Sequence, residues 1–285
     1  MLLAAFLREG AAALESLYPS PEAGGMVSIL CRERLGVQSY THIVEPSTEI
    51  PSDALPALQD DLSRLLKGEP LQYALGYADF CGRRFKVGPG VLVPRPETEM
   101  LVSEVEGRAR GLNRPARILD LCTGSGCIAW SLALDLPGSQ VTAVDISGEA
   151  LAIARTQFES AQGPRFLQAD VLGSVPEWAR GYDFLTANPP YIMEGEKPSM
   201  RSNVLDWEPG LALFVPDSDP LVFCRALAAW ADRCLVPGGR GIIEINEALG
   251  AESFAIFAGA KFEKIEILSD FFGKNRFVSF QKSLL

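Results

Sequence analysis

Apolar positions along this chain fall into three successive regimes. Over residues 1–70 they recur at helical spacing: Leu2, Leu3, Phe6 and Leu7, then Ile29, Leu30 and Leu35, then Leu58, Leu62, Leu65 and Leu66. Pro46-Ser47-Thr48 and the Pro51/Pro56 stretch punctuate these runs, and Gly68 followed by Pro70 stops the last one. The pattern predicts a small all-helical domain over 1–70 with four or five short helices. The opening run MLLAAFLREG has no basic residues before it and no small-residue cleavage site after it, so it reads as the start of a helix and not as a signal peptide.

Residues 71–94 are of another kind. Tyr77, Phe80, Phe85, Val87, Val91 and Val93 are aromatic or β-branched, and Gly82 and the Gly88-Pro89-Gly90 turn separate them. This predicts a β-hairpin linker between two domains. Helical character returns at Pro94-Arg95-Pro96-Glu97-Thr98-Glu99. Pro96 suits a first helical position, and Glu97 and Glu99 complement the positive end of a helix that is expected to run to about Leu112. From Ala116 onward, short apolar runs of strand type (117–121, 141–145, 166–169, 182–187 and 241–245) alternate with helical patterns at about 126–136, 148–161 and 219–235. Such alternation predicts an α/β domain over 95–285, a parallel sheet with helices on both faces. Two last strand-like runs, 261–268 and 275–282, are joined by a loop too short for a parallel crossover and are expected to pair antiparallel.

Composition narrows the possibilities. A chain of 285 residues suits two domains, and 47% hydrophobic with 22% charged residues supports a packed core and excludes global disorder. No run approaches the ~18 apolar residues of a membrane span. Lys and Arg number 26 against 36 Asp and Glu, a net charge of −10. Residues 1–70 hold five basic and ten acidic side chains, half of that deficit. Proteins that live on duplex nucleic acid carry a basic face, so no stable nucleic-acid partner is expected; Arg83, Arg84, Lys86 and Arg95 are the best candidates for a local patch. The six cysteines form no Cys-x-x-Cys pair and the only histidine is His42, far in sequence from every motif below. Neither a zinc site nor a histidine-based triad is expected, and scattered cysteines fit a reducing cytoplasm.

Two segments carry candidate chemistry. The first is Asp120-Leu121-Cys122-Thr123-Gly124-Ser125-Gly126-Cys127, which follows a strand and opens a helix, with Asp145 ending the next strand. In open α/β sheets ligands bind beyond the carboxyl ends of the strands, and a glycine loop plus an acid ending the second strand is a nucleotide-half signature, the carboxylate meeting ribose hydroxyls. The loop has Gly-x-Gly without the third glycine of a dinucleotide site, which suits S-adenosylmethionine, a cofactor with no pyrophosphate, better than NAD. The alternative is a plain strand-to-helix turn. Asp170, after the third strand, is a candidate for the adenine edge or else a loop cap.

The second segment is Asn188-Pro189-Pro190-Tyr191, directly after the fourth strand. A turn made of two prolines and an asparagine is the simple reading. The chemical reading is methylation of a planar nitrogen. An amide or aniline-like NH₂ is a weak nucleophile because its lone pair is delocalised, so a site must hold it and turn that lone pair toward the methyl group. The Asn188 side-chain oxygen can accept one N–H and a rigid backbone carbonyl, that of Pro189, the other. Tyr191 can pack on the flat face of the group. The gain is positioning, and no tuned general base is required.

These residues resemble a class I S-adenosylmethionine-dependent methyltransferase acting on a planar nitrogen. The segment Pro94–Glu99, the helical N-terminus and Gly68-x-Pro70-x-x-Tyr73-x-x-Gly76 make the chain similar to the release factor glutamine methyltransferases, the PrmC/HemK family. Trp207-Glu208-Pro209 with Ala212-Leu213-Phe214, and Leu235-x-Pro237-Gly238-Gly239 before Glu244, also match. The resemblance covers essentially the whole chain. It implies a seven-stranded sheet with an antiparallel strand near one edge, and methylation of the glutamine of the Gly-Gly-Gln motif in peptide chain release factors. It further implies that the helical domain and the hairpin help grip the protein substrate; a monomer with no membrane association is expected.

The candidate cofactor-binding residues are Asp120, Cys122, Thr123, Gly124, Ser125, Gly126, Asp145, Ile146, Asp170, Val171 and Asn188. Asn188, Pro189, Pro190 and Tyr191 are the candidate catalytic residues, and with Arg95 and Glu97 they form the candidate substrate site. Three departures from the family pattern stand out: Cys122 in place of a glycine, Val215-Pro216-Asp217 after the Ala-Leu-Phe run, and Glu244-Ile245-Asn246 with Leu249 in place of Glu-Ile-Gly and a nearby Gln. The competing readings are a nucleic-acid amino-methyltransferase, a ribosomal-protein glutamine methyltransferase, and a non-catalytic cofactor-binding module.

Overall fold

The computed structural model describes residues 1–284, which fall into two compact units. The first comprises Met1–Tyr77 together with Arg201–Trp207. It is helical, with α1 (Leu3–Leu14), α2 (Ser20–Leu35), α3 (Thr41–Val44), α4 (Leu55–Leu66) and α5 (Leu71–Leu75). Leu3, Phe6, Leu14, Val27, Leu30, Leu58 and Leu65 form its core, the residues whose periodicity predicts the helices. The unit extends past the expected boundary at residue 70 because α5 is tied back into it. Arg34 donates to the Ala74 carbonyl (2.9 Å) and Arg64 to the Tyr73 carbonyl (3.1 Å). Both guanidinium groups are held by buried acids, Arg34 by Asp61 (2.6 Å) and Arg64 by Glu69 (2.8 Å). Gly76 then ends α5 in the left-handed conformation that glycine adopts without strain.

The second unit comprises Ala78–Met200 and the chain from Glu208 onward. The hairpin is shorter than the composition of 71–94 suggests. Its strands are β1 (Tyr77–Phe80) and β2 (Arg83–Lys86), and the turn is at Cys81-Gly82. Val87, Val91 and Val93 are buried in irregular chain, because the Gly88-Pro89-Gly90 sequence breaks the ladder instead of reversing it.

The remaining elements alternate: α6 (Glu99–Ala109), β3 (Arg117–Leu121), α7 (Cys127–Asp135), β4 (Gln140–Asp145), α8 (Gly148–Arg155), β5 (Arg165–Gln168), β6 (Tyr182–Ala187), the short β7 (Ile192–Met193), α9 (Ser202–Leu205) of the first unit, the short β8 (Phe214–Val215), α10 (Val222–Cys234), β9 (Leu235–Glu244), α11 (Gly250–Gly259), β10 (Glu263–Ser269) and β11 (Asn275–Gln281). The main sheet has seven strands in the order β10-β11-β9-β6-β3-β4-β5. Only β11 runs against its neighbours, one strand in from the edge. The helix α11, which no periodicity signalled, packs its Phe257 into the core.

Adjacent residues on each central strand enter different cores, as the two-residue pleat requires. Ile118, Phe184 and Ile242 join one cluster with α6 and α7; Leu119, Leu185 and Ile243 join the other with α10 and α11. Gly241 is needed in β9 because its cross-strand partner Phe280 lies where a Cβ would sit, 2.0 Å from the ring. That ring stacks on Phe257 at 4.2 Å. No helix among the described residues is long and apolar enough to cross a membrane.

Candidate active site

Sheet register brings the two chemical segments together. Leu121 of β3 pairs with Ala187 of β6, so the next residues, Cys122 and Asn188, leave neighbouring strands side by side. Leu121 also pairs with Val144 of β4, which puts Asp145 beside the same loop. After β5 the chain crosses back to lay β6 against β3, so the two loops diverge at the point where the strand order reverses. That is where a doubly wound sheet opens a crevice. A cavity of about 330 Å³ lies there.

The glycine loop is built from below. Asp120 is fully buried and does not line the cavity. Its two oxygens accept from Thr123 (2.5 Å) and Thr186 (2.7 Å), which fastens the loop to the end of β6. Burial pushes the Asp120 carboxyl up to about 7, against the opposing pull of those two hydroxyls. Its place under the loop is therefore a support and not a contact. Gly126 likewise lies outside the lining. It caps α7 in a left-handed conformation, and a Cβ there would crowd Ala154 and Trp130 at 3.1 and 3.2 Å. Cys122 does line the cavity, and it too is left-handed, at φ 57°. A residue with a Cβ is strained there by about 1–2 kcal/mol relative to glycine. Burial, together with Asp145, Asp120 and Asp170, raises its thiol well above the ordinary value, so the sulfur stays protonated.

Asp145 lies across the loop. Its carboxylate accepts from the Gly124 N–H (2.8 Å) and the Ser147 N–H (2.9 Å), with the Ile146 N–H also directed at it. Burial raises its carboxyl, and the backbone N–H groups pull it back down. Thr123, Gly124, Ser125, Ile146, Asp170 and Val171 line the cavity with it. Asp170 also accepts from the Leu172 N–H (2.8 Å), a turn cap and a lining residue at once. Leu172 and Phe223 add apolar wall; neither stands in a motif that would have marked it.

At the reaction end, Asn188 and Pro190 line the cavity, whereas Pro189 and Tyr191 do not. The Tyr191 hydroxyl is drawn to Glu244, donating to Oε1 at 2.9 Å. Thr98 donates to Glu244 Oε2 at 2.7 Å, and Asn188 Nδ2 donates to Thr98 Oγ1 at 3.3 Å. Burial raises the Glu244 carboxyl and, joined by the Glu244 charge, takes the Tyr191 phenol well above its ordinary value. Thr98 and Glu244 carry no solitary sequence signal. Both lie inside matched segments, and their contact across 146 residues of chain is visible only in the fold.

Arg95 lines the cavity and is pinned by Glu208, at 2.6 Å. The second Glu208 oxygen accepts the Val93 N–H (3.0 Å). Glu97, by contrast, is outside the lining, on the turn that starts α6. The other departures from the family pattern hold the loop after β6. Asn246 donates to the Tyr191 carbonyl (3.1 Å) and to Glu196 (2.9 Å), and Asp217 accepts the Gly195 N–H (2.8 Å).

Comparison with known proteins identifies the family. Residues 5–76 match the PrmC N-terminal domain and residues 96–205 the methyltransferase small domain. A release factor glutamine methyltransferase of Bacteroides thetaiotaomicron is 40% identical over 278 residues, covering 97% of this chain and 98% of that protein. One from Flavobacterium psychrophilum is 32% identical, covering 98% of each. Among solved structures, a methyltransferase from Pyrococcus furiosus superposes with a TM-score of 0.52 at 17% identity, over 79% of this chain and 99% of that one. The Thermus thermophilus 16S rRNA N2 G1207 methyltransferase superposes at 0.51 and 20% identity, over 72% of this chain and 49% of that one; at such identity the likeness is one of fold. Identity of 32–40% with named relatives over nearly the full length of each, together with the matching helical domain, leads to one conclusion: the chain belongs to the release factor glutamine methyltransferases.

Proposed function

We propose that this protein transfers a methyl group from S-adenosylmethionine to the side-chain amide nitrogen of the glutamine in the Gly-Gly-Gln motif of peptide chain release factors, acting as a cytoplasmic monomer with no stable nucleic-acid partner. The observation that carries the reading is the register of β3 and β6, which brings a cofactor-type glycine loop and the start of the Asn188-Pro189-Pro190-Tyr191 segment together, with Asn188 and Pro190 lining the same cavity as the loop.

The residues fit the cofactor. Asp145 places a carboxylate on the cavity wall, an acceptor of the kind that ribose hydroxyls need, and the Cys122–Ser125 loop offers backbone at close range. Ile146, Val171 and Leu172 make an apolar slot for the adenine, with Asp170 at its edge. When bound, S-adenosylmethionine supplies an electrophilic methyl carbon on a positively charged sulfur. The work of the protein is to hold the glutamine amide. Asn188 Oδ1 accepts one of its N–H groups, and the carbonyl of Pro189, which joins the lining residues Asn188 and Pro190, is assigned the other, which points the nitrogen lone pair at the crevice. The nitrogen becomes acidic only as the new bond forms, so its proton leaves to water without a tuned base. Tyr191 braces the loop from behind, through Glu244, instead of stacking on the amide. Arg95 on Glu208 frames the mouth, and the helical unit and the hairpin are assigned to gripping the protein substrate.

The test is to mix the purified protein, S-adenosylmethionine and an unmethylated release factor, and to read the Gly-Gly-Gln peptide by mass spectrometry. The reading expects a gain of one methylene, about 14 Da, on that glutamine. No gain there, with methylation of an oligonucleotide or of a ribosomal protein instead, would overturn it.

A further inference from the structure

The reading above needs the Asn188 side chain to present its oxygen, not its NH₂, to the substrate. Nothing within Asn188 decides that, because the two ends of a carboxamide have nearly the same shape. The decision comes from two residues behind it. Glu244 is 2% exposed, and its two oxygens meet two hydroxyls, Tyr191 on Oε1 and Thr98 on Oε2. Burial works against the Glu244 charge, while the Thr98 and Tyr191 hydroxyls and the Arg276 charge favour it; as a carboxylate it only accepts, and both hydroxyls then spend their single proton on it. Thr98, itself 2% exposed, is then left with lone pairs alone on the side facing Asn188. Asn188 must meet those lone pairs with Nδ2, which leaves Oδ1 as the free end of a side chain that, like Thr98, lines the cavity.

We infer that Glu244, acting through Thr98, is the positioning element that sets the hydrogen-bond polarity of Asn188 and so makes the site an acceptor for a primary amide. The inference deepens the proposed function and rests on it in one respect, the role of Asn188 Oδ1 as acceptor. It also gives Thr98 a task within the Pro94–Glu99 segment. With the polarity reversed, Asn188 would meet the incoming NH₂ donor to donor. Neither Glu244 nor Thr98 is a catalytic residue on this account: Glu244 reaches the reaction only through other side chains, and Thr98, although it lines the cavity, acts through Asn188.

The experiment compares Thr98→Val, Thr98→Ser and Glu244→Gln. Valine keeps the shape of threonine and removes the hydroxyl; serine keeps the hydroxyl. Glutamine at 244 offers one acceptor where two hydroxyls need one each. Release factor methylation at saturating cofactor is expected to fall roughly 100-fold in kcat for Thr98→Val and Glu244→Gln, the scale of losing a positioned hydrogen-bonding group. In Thr98→Ser it should stay within about threefold of the parent protein. Cofactor dissociation constants should change less than about twofold throughout, because the cofactor end is untouched. Turnover in Thr98→Val close to the parent, no recovery in Thr98→Ser, or equal losses in cofactor affinity and turnover would overturn the inference.

A second readout does not depend on turnover. Nuclear Overhauser contacts from the Asn188 side-chain NH₂ to the Thr98 methyl group are expected in the parent protein and lost in Glu244→Gln. Their absence in the parent sinks the inference even if the release factor is methylated. Their presence in a parent that leaves the release factor unmethylated sinks the proposed function alone.

Discussion

The cofactor end and the reaction end of this site are built on different principles. At the cofactor end, backbone does most of the work over two short stretches of chain: a loop over residues 122–126, Asp145 answering the Gly124 and Ser147 N–H groups, and the start of α7. At the reaction end, side chains do it. Thr98, Asn188, Tyr191 and Glu244 come from three separate segments and connect through three hydrogen bonds. A backbone-built site tolerates exchange of side chains as long as the loop conformation survives, and Cys122 in a glycine position is such an exchange. A relay of single-proton hydroxyls tolerates little, because each member fixes the donor or acceptor state of the next.

The largest test of that contrast is Asn188→Ala. Turnover should fall roughly 10²–10³-fold with cofactor affinity unchanged, since only an orienting group at the reaction end is removed. Steady-state kinetics together with calorimetry would show it, and unchanged turnover would break the assignment. Asp145→Ala should do the reverse, weakening cofactor binding by about 1–3 kcal/mol, the scale of a charge-assisted hydrogen bond. Equal affinity by calorimetry would remove Asp145 from the ribose site.

A third test concerns Asp120, which supports the loop from below. Its carboxyl, at about 7 in the fold, lies near 3.9 in an unfolded chain. Between those values the folded protein holds a proton that the unfolded chain has released. This group therefore makes stability fall as pH rises through that window, by on the order of 1 kcal/mol per pH unit at its steepest. Asp120→Asn cannot titrate, so the decline in melting temperature from pH 5 to pH 7.5 should flatten. An unaltered slope would mean that the burial penalty is relieved elsewhere. The smallest effect belongs to Cys122→Gly. Relief of left-handed strain is partly offset by the greater freedom of glycine in the unfolded chain, so a gain of about 0.5–1 kcal/mol is expected in denaturant titrations, with cofactor affinity kept. A loss of stability would show that the cysteine side chain contributes packing that outweighs the strain.

Legibility in the sequence follows the same division. Arg117–Leu121 and Tyr182–Ala187 are short, largely apolar runs, and both strands lie where those runs place them. The antiparallel pairing of the last two strands followed from loop length. The bounds of the hairpin did not follow from composition, because Val87, Val91 and Val93 are apolar for burial and not for strand pairing. The residue types of the glycine loop were visible, but their division of labour was not. Asp120 and Gly126 share the motif with Thr123 and Gly124, and only the direction of each side chain or cap separates support from lining. Tyr191 could be read as a stacking face until its hydroxyl found Glu244.

What the chain determines by itself is what lies within a few residues: helical and strand periodicity, the turns that glycine and proline allow, and the chemical identity of the two loops. Those are local properties, set by backbone sterics and by apolar spacing. Tertiary structure decides which distant groups share a proton. The contacts from Glu244 to Thr98 and Tyr191 form only when β9 lies beside β6 and the start of α6 closes over the end of the sheet. A hydroxyl has one proton to give, and its direction depends on every neighbour at once, which no stretch of sequence contains.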